Sequence, residues 1–254
     1  MTILKALIFD VDGTLAETER DAHRVAFNET FAQYQLDWHW SEELYGQLLA
    51  VTGGKERIKY YLDCYRPDFL QPDNIETFIA EIHQKKTNYY NQLLVNKPIP
   101  LRLGVKRLLQ EARQQGLRLA IATTTSLQNV VTLLESSLDP QAVSWFEIIA
   151  AGDMVKEKKP AADVYLHALQ HLNLPAAHCL AFEDSYNGLC SALGAQIKTI
   201  ITINDYTCHE NFNGATLVLD HLGEPNQTCS ILGGTFEGEI TQVDVALLHR
   251  LIQE

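Results

Sequence analysis

Asp10-Val11-Asp12-Gly13-Thr14 places two carboxylates two positions apart at the end of a short apolar run, Leu4-Lys5-Ala6-Leu7-Ile8-Phe9. In an extended chain such residues point to one side, so the two acids project together. Three further polar clusters follow far downstream: Thr123-Thr124-Thr125-Ser126, Lys156-Glu157-Lys158-Lys159-Pro160 and Glu183-Asp184-Ser185. Singly, each has an ordinary alternative. Asp-Gly is a common turn pair, a Thr/Ser run or an Asp-Ser pair can cap a helix, and a lysine cluster is usually a solvated loop. Brought into one crevice, a hydroxyl, an ammonium and four carboxylates have a joint use. The acids would repel one another unless a divalent cation sat among them. Hard oxygen ligands without His or Cys suit Mg²⁺. Cation, hydroxyl and ammonium would then hold phosphoryl oxygens, leaving one aspartate free to attack through an aspartyl-phosphate.

The elements that must position these groups can be read from the apolar pattern. The first run is near-continuous and ends at a turn signal, as a strand buried on both faces should. Similar runs span 117–123, 146–151, 179–182 and 197–203, and residues 215–219 can add an edge strand. Segments with helical spacing lie between them, at 104–115, 127–137, 161–172 and 187–193. This alternation predicts right-handed βαβ units, that is, an α/β fold with a Rossmann-like parallel sheet covered by helices. Ligands of such sheets bind outside the carboxyl ends of the strands, where all four clusters fall. Between about Ala16 and Lys97 apolar residues instead recur at three and four positions, as in Val25, Phe27, Phe31 and Tyr34. That stretch predicts an all-α insert, residues 16–99, hung on linkers from a core made of 1–15 and 100–254. Lys97-Pro98-Ile99-Pro100 marks the return. The Gly-rich stretch 223–238 reads as a loop or hairpin before a last helix over 241–252.

Composition narrows the partners. Among 254 residues, 20 are Lys or Arg and 32 Asp or Glu, a net charge of −12. Such a surface repels nucleic acid and anionic lipid, so neither is expected as a partner. An anionic small molecule can still bind where basic residues gather. Five widely spaced cysteines without a C-x-x-C pair read as reduced thiols, consistent with a cytoplasmic location. The first 15 residues lack signal-peptide architecture, and no apolar stretch reaches bilayer length. The sequence does not set an oligomeric state; a monomer is the simpler expectation.

The set Asp10-x-Asp12-Gly13-Thr14, Thr123, Lys159-Pro160 and Glu183-Asp184 resembles the four motifs of the haloacid dehalogenase superfamily, and the insert resembles its α-helical cap. The resemblance implies that Asp10 is the nucleophile and Asp12 the general acid and base. It implies that Thr123 and Lys159 bind phosphoryl oxygens. It also implies that Asp10, the Asp12 carbonyl and Asp184 hold Mg²⁺, with Glu183 beside them. The dehalogenase branch is disfavoured because it lacks the second aspartate of the first motif. The stretches Ala16-Glu17-Thr18-Glu19, Thr52-Gly53-Gly54-Lys55-Glu56-Arg57-Ile58, Ala122-Thr123-Thr124-Thr125-Ser126 and Ala150-Ala151-Gly152-Asp153-Met154-Val155 look like the CbbY-like phosphatases. That family is associated with converting xylulose-1,5-bisphosphate, a misfire product that blocks Rubisco, to xylulose 5-phosphate. Substrate contacts by Glu17, Thr124 and Thr125 are part of the same implication.

A bisphosphate needs a second anion site away from the metal. In the insert, His23, Lys55, Arg57 and Lys86 supply donors or positive charge, and Gly53-Gly54 lets backbone N–H groups approach an anion. A β-phosphoglucomutase-type sugar-phosphate mutase shares fold, cap and motifs and is the alternative activity. A non-catalytic binding protein on this fold is a third possibility, set against a complete motif set.

Overall fold

The computed structural model describes residues 3–253. β1 (Ala6–Phe9) is buried throughout, and after it the chain leaves the sheet. A π-helical turn over Glu19–His23 leads into α1 (Arg24–Gln33), α2 (Glu42–Leu48), α3 (Gly54–Tyr65) and α4 (Ile75–Asn96). Their apolar faces close on an aromatic centre of their own, with Phe27, Phe31, Trp38, Trp40, Tyr45 and Tyr61 buried together. An antiparallel bridge pairs Ala16 with Leu101, so the outgoing and returning chain run side by side.

The chain then alternates as α5 (Val105–Gln114), β2 (Arg118–Ala122), α6 (Leu127–Leu133), β3 (Phe146–Ala150), α7 (Asp163–Leu172), β4 (Cys179–Glu183), α8 (Tyr186–Gly194), β5 (Lys198–Thr202), β6 (Leu217–Leu219), β7 (Ile231–Gly234) and α9 (Val245–Leu251). The strands form one sheet in the order β3-β2-β1-β4-β5-β6-β7. All neighbours are parallel except β6 and β7. Side chains along β1 alternate between two helical layers. Leu7 and Phe9 pack with α5, α6 and α9, and Ala6 and Ile8 with α7 and α8. This is the Rossmann-like α/β architecture that the apolar rhythm predicts.

The far edge differs from expectation. β6 is not the edge strand, because β7 pairs outside it from within the Gly-rich stretch. The β7 sequence, Ile-Leu-Gly-Gly, is short, largely exposed and half glycine, so neither propensity nor alternation announces it. α9 starts later than expected because the Asp244 carboxylate accepts from Leu247 N at 2.7 Å and caps the helix there. The helix expected over 127–137 is α-helical only to Leu133, then continues as a π-turn over Leu134–Leu138.

Candidate active site

Strand register brings the acids together. β1 and β4 are neighbours with Phe9 opposite Phe182, so Asp10 leaves β1 beside Glu183, the last residue of β4. Asp10 N donates to Phe182 O at 2.9 Å and fixes that exit. The chain winds from β1 outward to β3, then returns to β4 and winds the other way. The crevice between β1 and β4 is therefore the switch point where such sheets bind ligands. β2 flanks β1 on the other side, ending just before Thr123. The capping alternatives hold as well. Ser126 caps α6 and Ser185 caps α8, so these clusters start helices and line the crevice at once.

Lys159, from the loop after β3, reaches into the crevice. Its Nζ donates to Asp10 Oδ1 at 2.5 Å and to Glu183 Oε1 at 2.6 Å. Tyr165 of α7 donates to the same Glu183 oxygen at 2.5 Å. Burial pushes the Asp10 carboxyl up to about 8 despite the pull of Lys159. It drives Asp184 well above the usual carboxylate range, with Asp10 and Glu183 adding to the rise. Lys159 is held charged, because its two carboxylate partners outweigh the burial that opposes its charge. Acids crowded this way ionise together only around more positive charge. One oxygen from each of Asp10, Glu183 and Asp184 lies within 4.8 Å of the others, and Glu183 Oε2 is buried without a hydrogen-bond partner. This all-oxygen set fits a hexacoordinate Mg²⁺.

Asp12 faces the helical insert. Its Oδ1 accepts from Thr18 Oγ1 at 2.5 Å and contacts His23 Nε2 at 2.9 Å. Lys86 Nζ donates to His23 Nδ1. An ammonium has no acceptor, so Nδ1 must accept and the ring donates to Asp12 through Nε2–H. His23 is stacked on Tyr90 at 4.3 Å, which fixes the ring plane. Burial alone would raise Asp12, but His23, the Thr18 hydroxyl and the Lys86 charge outweigh it and hold the carboxyl at about 2. Arg57 is buried and donates to Leu48 O at 3.2 Å and to the Tyr45 hydroxyl at 3.0 Å. Tyr45 in turn donates to Glu19 Oε2 at 2.5 Å.

Two cavities meet at Asp12, Glu19, Arg57 and Thr124. One, of about 90 Å³, adjoins Asp10, Glu17, Thr123, Lys159 and Asp184. The other, of about 50 Å³, adjoins His23, Gly53, Gly54, Lys55, His83, Lys86, Thr125 and Lys158. The positive field of the second is visible on His83, which burial and then the charges of Lys86, Lys55 and Lys158 push down to about 3. The Gly53 backbone is left-handed at φ 100°, and a Cβ there would stand 2.2 Å from Glu56 Oε2.

Every candidate residue from the sequence thus borders these cavities except Glu183, which lies just beneath and holds Lys159. Glu17 borders the first cavity, with its carboxylate tied to Arg102 Nε at 2.9 Å. Lys55 is exposed at the rim, whereas Lys86 is buried rather than solvated. Sequence reasoning missed Thr18, Glu19, Tyr45, His83, Tyr165 and Asn204. Lys158, which the motif resemblance passes over in favour of Lys159, borders the second cavity, paired with Glu56 at 2.9 Å. A basic-type residue within one to three positions of a marked one, His83 before Lys86 and Lys158 before Lys159, was the available signal. Nothing in periodicity marks Tyr165 or Asn204.

A doubly wound sheet carrying an acid–lysine–acid cluster at its switch point, under an inserted helical unit, defines the class of haloacid dehalogenase-like hydrolases. The profile of that family matches residues 4–196. The chain belongs to this family, in its CbbY-like branch. Protein CbbY of Rhodobacter capsulatus is 50% identical over 212 residues, which are 84% of this chain and 91% of that protein. A crystal structure of an Asp-to-Asn variant of CbbY from Rhodobacter sphaeroides, in complex with xylulose-1,5-bisphosphate, is 46% identical. It has a TM-score of 0.80 and covers 86% of this chain and 95% of that one. β-Phosphoglucomutase from Clostridium difficile, at 21% identity and TM-score 0.69, covers 86% and 92% and shares the fold. The chain is a phosphatase. Among the described residues no helix is long and apolar enough to cross a membrane.

Proposed function

We propose that this phosphatase removes the C1 phosphate of xylulose-1,5-bisphosphate, yielding xylulose 5-phosphate and so clearing an inhibitor of Rubisco. The observation that carries this reading is the two-anion layout: a nucleophile cavity at Asp10 and a separate cation-lined cavity across the Asp12–Arg57 junction. The CbbY complex with this bisphosphate supports it from a relative. In this reading residues 16–99 are a cap over a core of 1–15 and 100–254.

Asp10 attacks phosphorus, and the bond to the sugar oxygen breaks as the aspartyl-phosphate forms. Asp12 gives a proton to the departing alkoxide, then takes one from the water that hydrolyses the intermediate. Asp12 must therefore carry its proton in before the insert closes; with His23 and Lys86 over it, the ionised form left after donation is favoured, and that form activates water. Thr123 and Lys159 hold the phosphoryl oxygens. Mg²⁺, held by Asp10, the Asp12 carbonyl and Asp184 with Glu183 adjacent, would neutralise phosphoryl charge. Lys55, Arg57, His83 and Lys158 surround the second phosphate; Glu17, His23, Lys86, Thr124 and Thr125 border the sugar between.

Phosphate release, measured over a panel of xylulose-1,5-bisphosphate, sugar monophosphates and β-glucose 1-phosphate, tests the reading. It requires the bisphosphate to be the best substrate, with stoichiometric free phosphate. Isomer formation without phosphate release would establish the mutase alternative. Lys55→Ala should raise KM for the bisphosphate several-fold more than for a monophosphate, and equal effects would remove the second-phosphate assignment.

A further inference from the structure

The loop after β5 touches both halves of the molecule. On the core side, Asn204 Nδ2 donates to Asp184 Oδ2 at 2.7 Å. The other end of the same amide is equally fixed, since Oδ1 accepts from Tyr206 N at 2.9 Å and Thr207 N at 3.2 Å. With the oxygen held by two N–H donors, the NH₂ can only face the carboxylate. Gly13 packs against the same contact, where a Cβ would stand 2.2 Å from Asp184 Oδ2 and 2.8 Å from Asn204 Nδ2. Asp184 Oδ2 is therefore held by one amide donor, with the first-motif backbone packed close enough beside that contact to leave no room for a side chain. On the insert side, the turn that Asn204 closes presents Tyr206. Its ring lies 3.0 Å from the point a Cβ on Gly46 would occupy. It also packs edge-on against Tyr45 at 6.0 Å, and Tyr45 bonds Glu19 and Arg57 at the cavity junction.

We propose that Asn204 is a positioning residue for the cation site, orienting Asp184 toward Asp10, and that its turn, through Tyr206, couples docking of the helical insert to that orientation. A divalent cation then binds best when the insert is down, and substrate closure and cation binding reinforce each other. This rests on the reading of Asp10, Glu183 and Asp184 as a Mg²⁺ site.

Calorimetric titration with Mg²⁺ of the wild type, Asn204→Ala, Tyr206→Ala and the double variant tests it, with steady-state kinetics alongside. Outer partners of metal ligands typically contribute about 10-fold or more in affinity. Asn204→Ala should accordingly weaken Mg²⁺ binding by about 10-fold and lower kcat at subsaturating Mg²⁺. Tyr206→Ala should mainly raise KM, and the double variant should lose less in kcat/KM than the product of the two single losses. If Asn204→Ala does not fold, Asn204→Ser takes its place, since its shorter side chain keeps an acceptor for the turn without reaching Asp184. Wild-type Mg²⁺ affinity in a folded Asn204 variant, or losses that simply multiply, would overturn the proposal while leaving the site reading intact. No Mg²⁺ binding by the wild type would remove both.

Discussion

At Asp12 a single carboxylate is gripped by groups from elsewhere in the chain, and its ionisation is set by them. His23 and Lys86 belong to the insert, so the environment that holds Asp12 at about 2 exists only while the insert is down. Asp12→Asn should cost about 10²- to 10⁴-fold in kcat, the usual worth of a positioned acid–base group. Replacing His23 by Ala removes one of the groups that lower Asp12, so the acid limb of the pH–kcat profile should move to higher pH; an unmoved limb would separate His23 from Asp12. Lys86 gives a stability test with a definite sign. Burial lowers its ammonium to about 8 in the folded protein against an ordinary 10.5. Between those values the unfolded chain binds more protons than the native one, so stability rises with pH through that window and is depressed below it. Urea unfolding of wild type and Lys86→Met from pH 7.5 to 10.5 should show the wild type gaining relative to the variant. Parallel curves would mean Lys86 titrates as in water.

Strand ends and helix starts deliver the site with little slack. Gly188 stands in the first turn of α8, where helix propensity favours Ala by about 1 kcal/mol. A Cβ there would lie 1.8 Å from Glu183 Oε2, and overpacking of that kind costs about 1–3 kcal/mol. The clash wins, so Gly188→Ala should lower Tm and slow turnover together as Glu183 shifts off Lys159. Gly13, left-handed at φ 85°, tolerates no side chain beside Asp184 for the same reason. At this scale the sequence was legible wherever burial imposed a period. The strands β1 to β5 and most helices follow from apolar runs and 3.6-residue spacing, and the four polar clusters stand out because each ends such a run. β7 was not legible, because an exposed Ile-Leu-Gly-Gly edge is shaped by pairing with β6 rather than by its own pattern. Tyr165 and Asn204 were hidden for a related reason. One is an apolar-face residue whose hydroxyl matters only through Glu183, the other a turn residue whose second role depends on a contact 20 positions away.

Across the whole molecule, a chain of net charge −12 gathers Lys55, Arg57, Lys86 and Lys158 at one junction between insert and core. For the proposed bisphosphate, the overall charge field would oppose the anionic substrate while the cleft attracts it, so affinity would come from closure over that local cluster rather than from long-range steering. The grouping was only partly readable beforehand, since Lys55 and Arg57 adjoin each other in sequence but His83 and Lys158 arrive through the packing of α4 and the loop after β3. In the proposed reaction, all of the chemistry turns on a phosphoryl group passing through Asp10. Rapid acid quench of the wild type turning over xylulose-1,5-bisphosphate labelled at the C1 phosphate, with Mg²⁺ present, measures that passage directly. The account predicts label on the peptide that contains Asp10, appearing before free phosphate and absent from Asp10→Asn. Free phosphate released at the full rate with no label ever held by that peptide would contradict it.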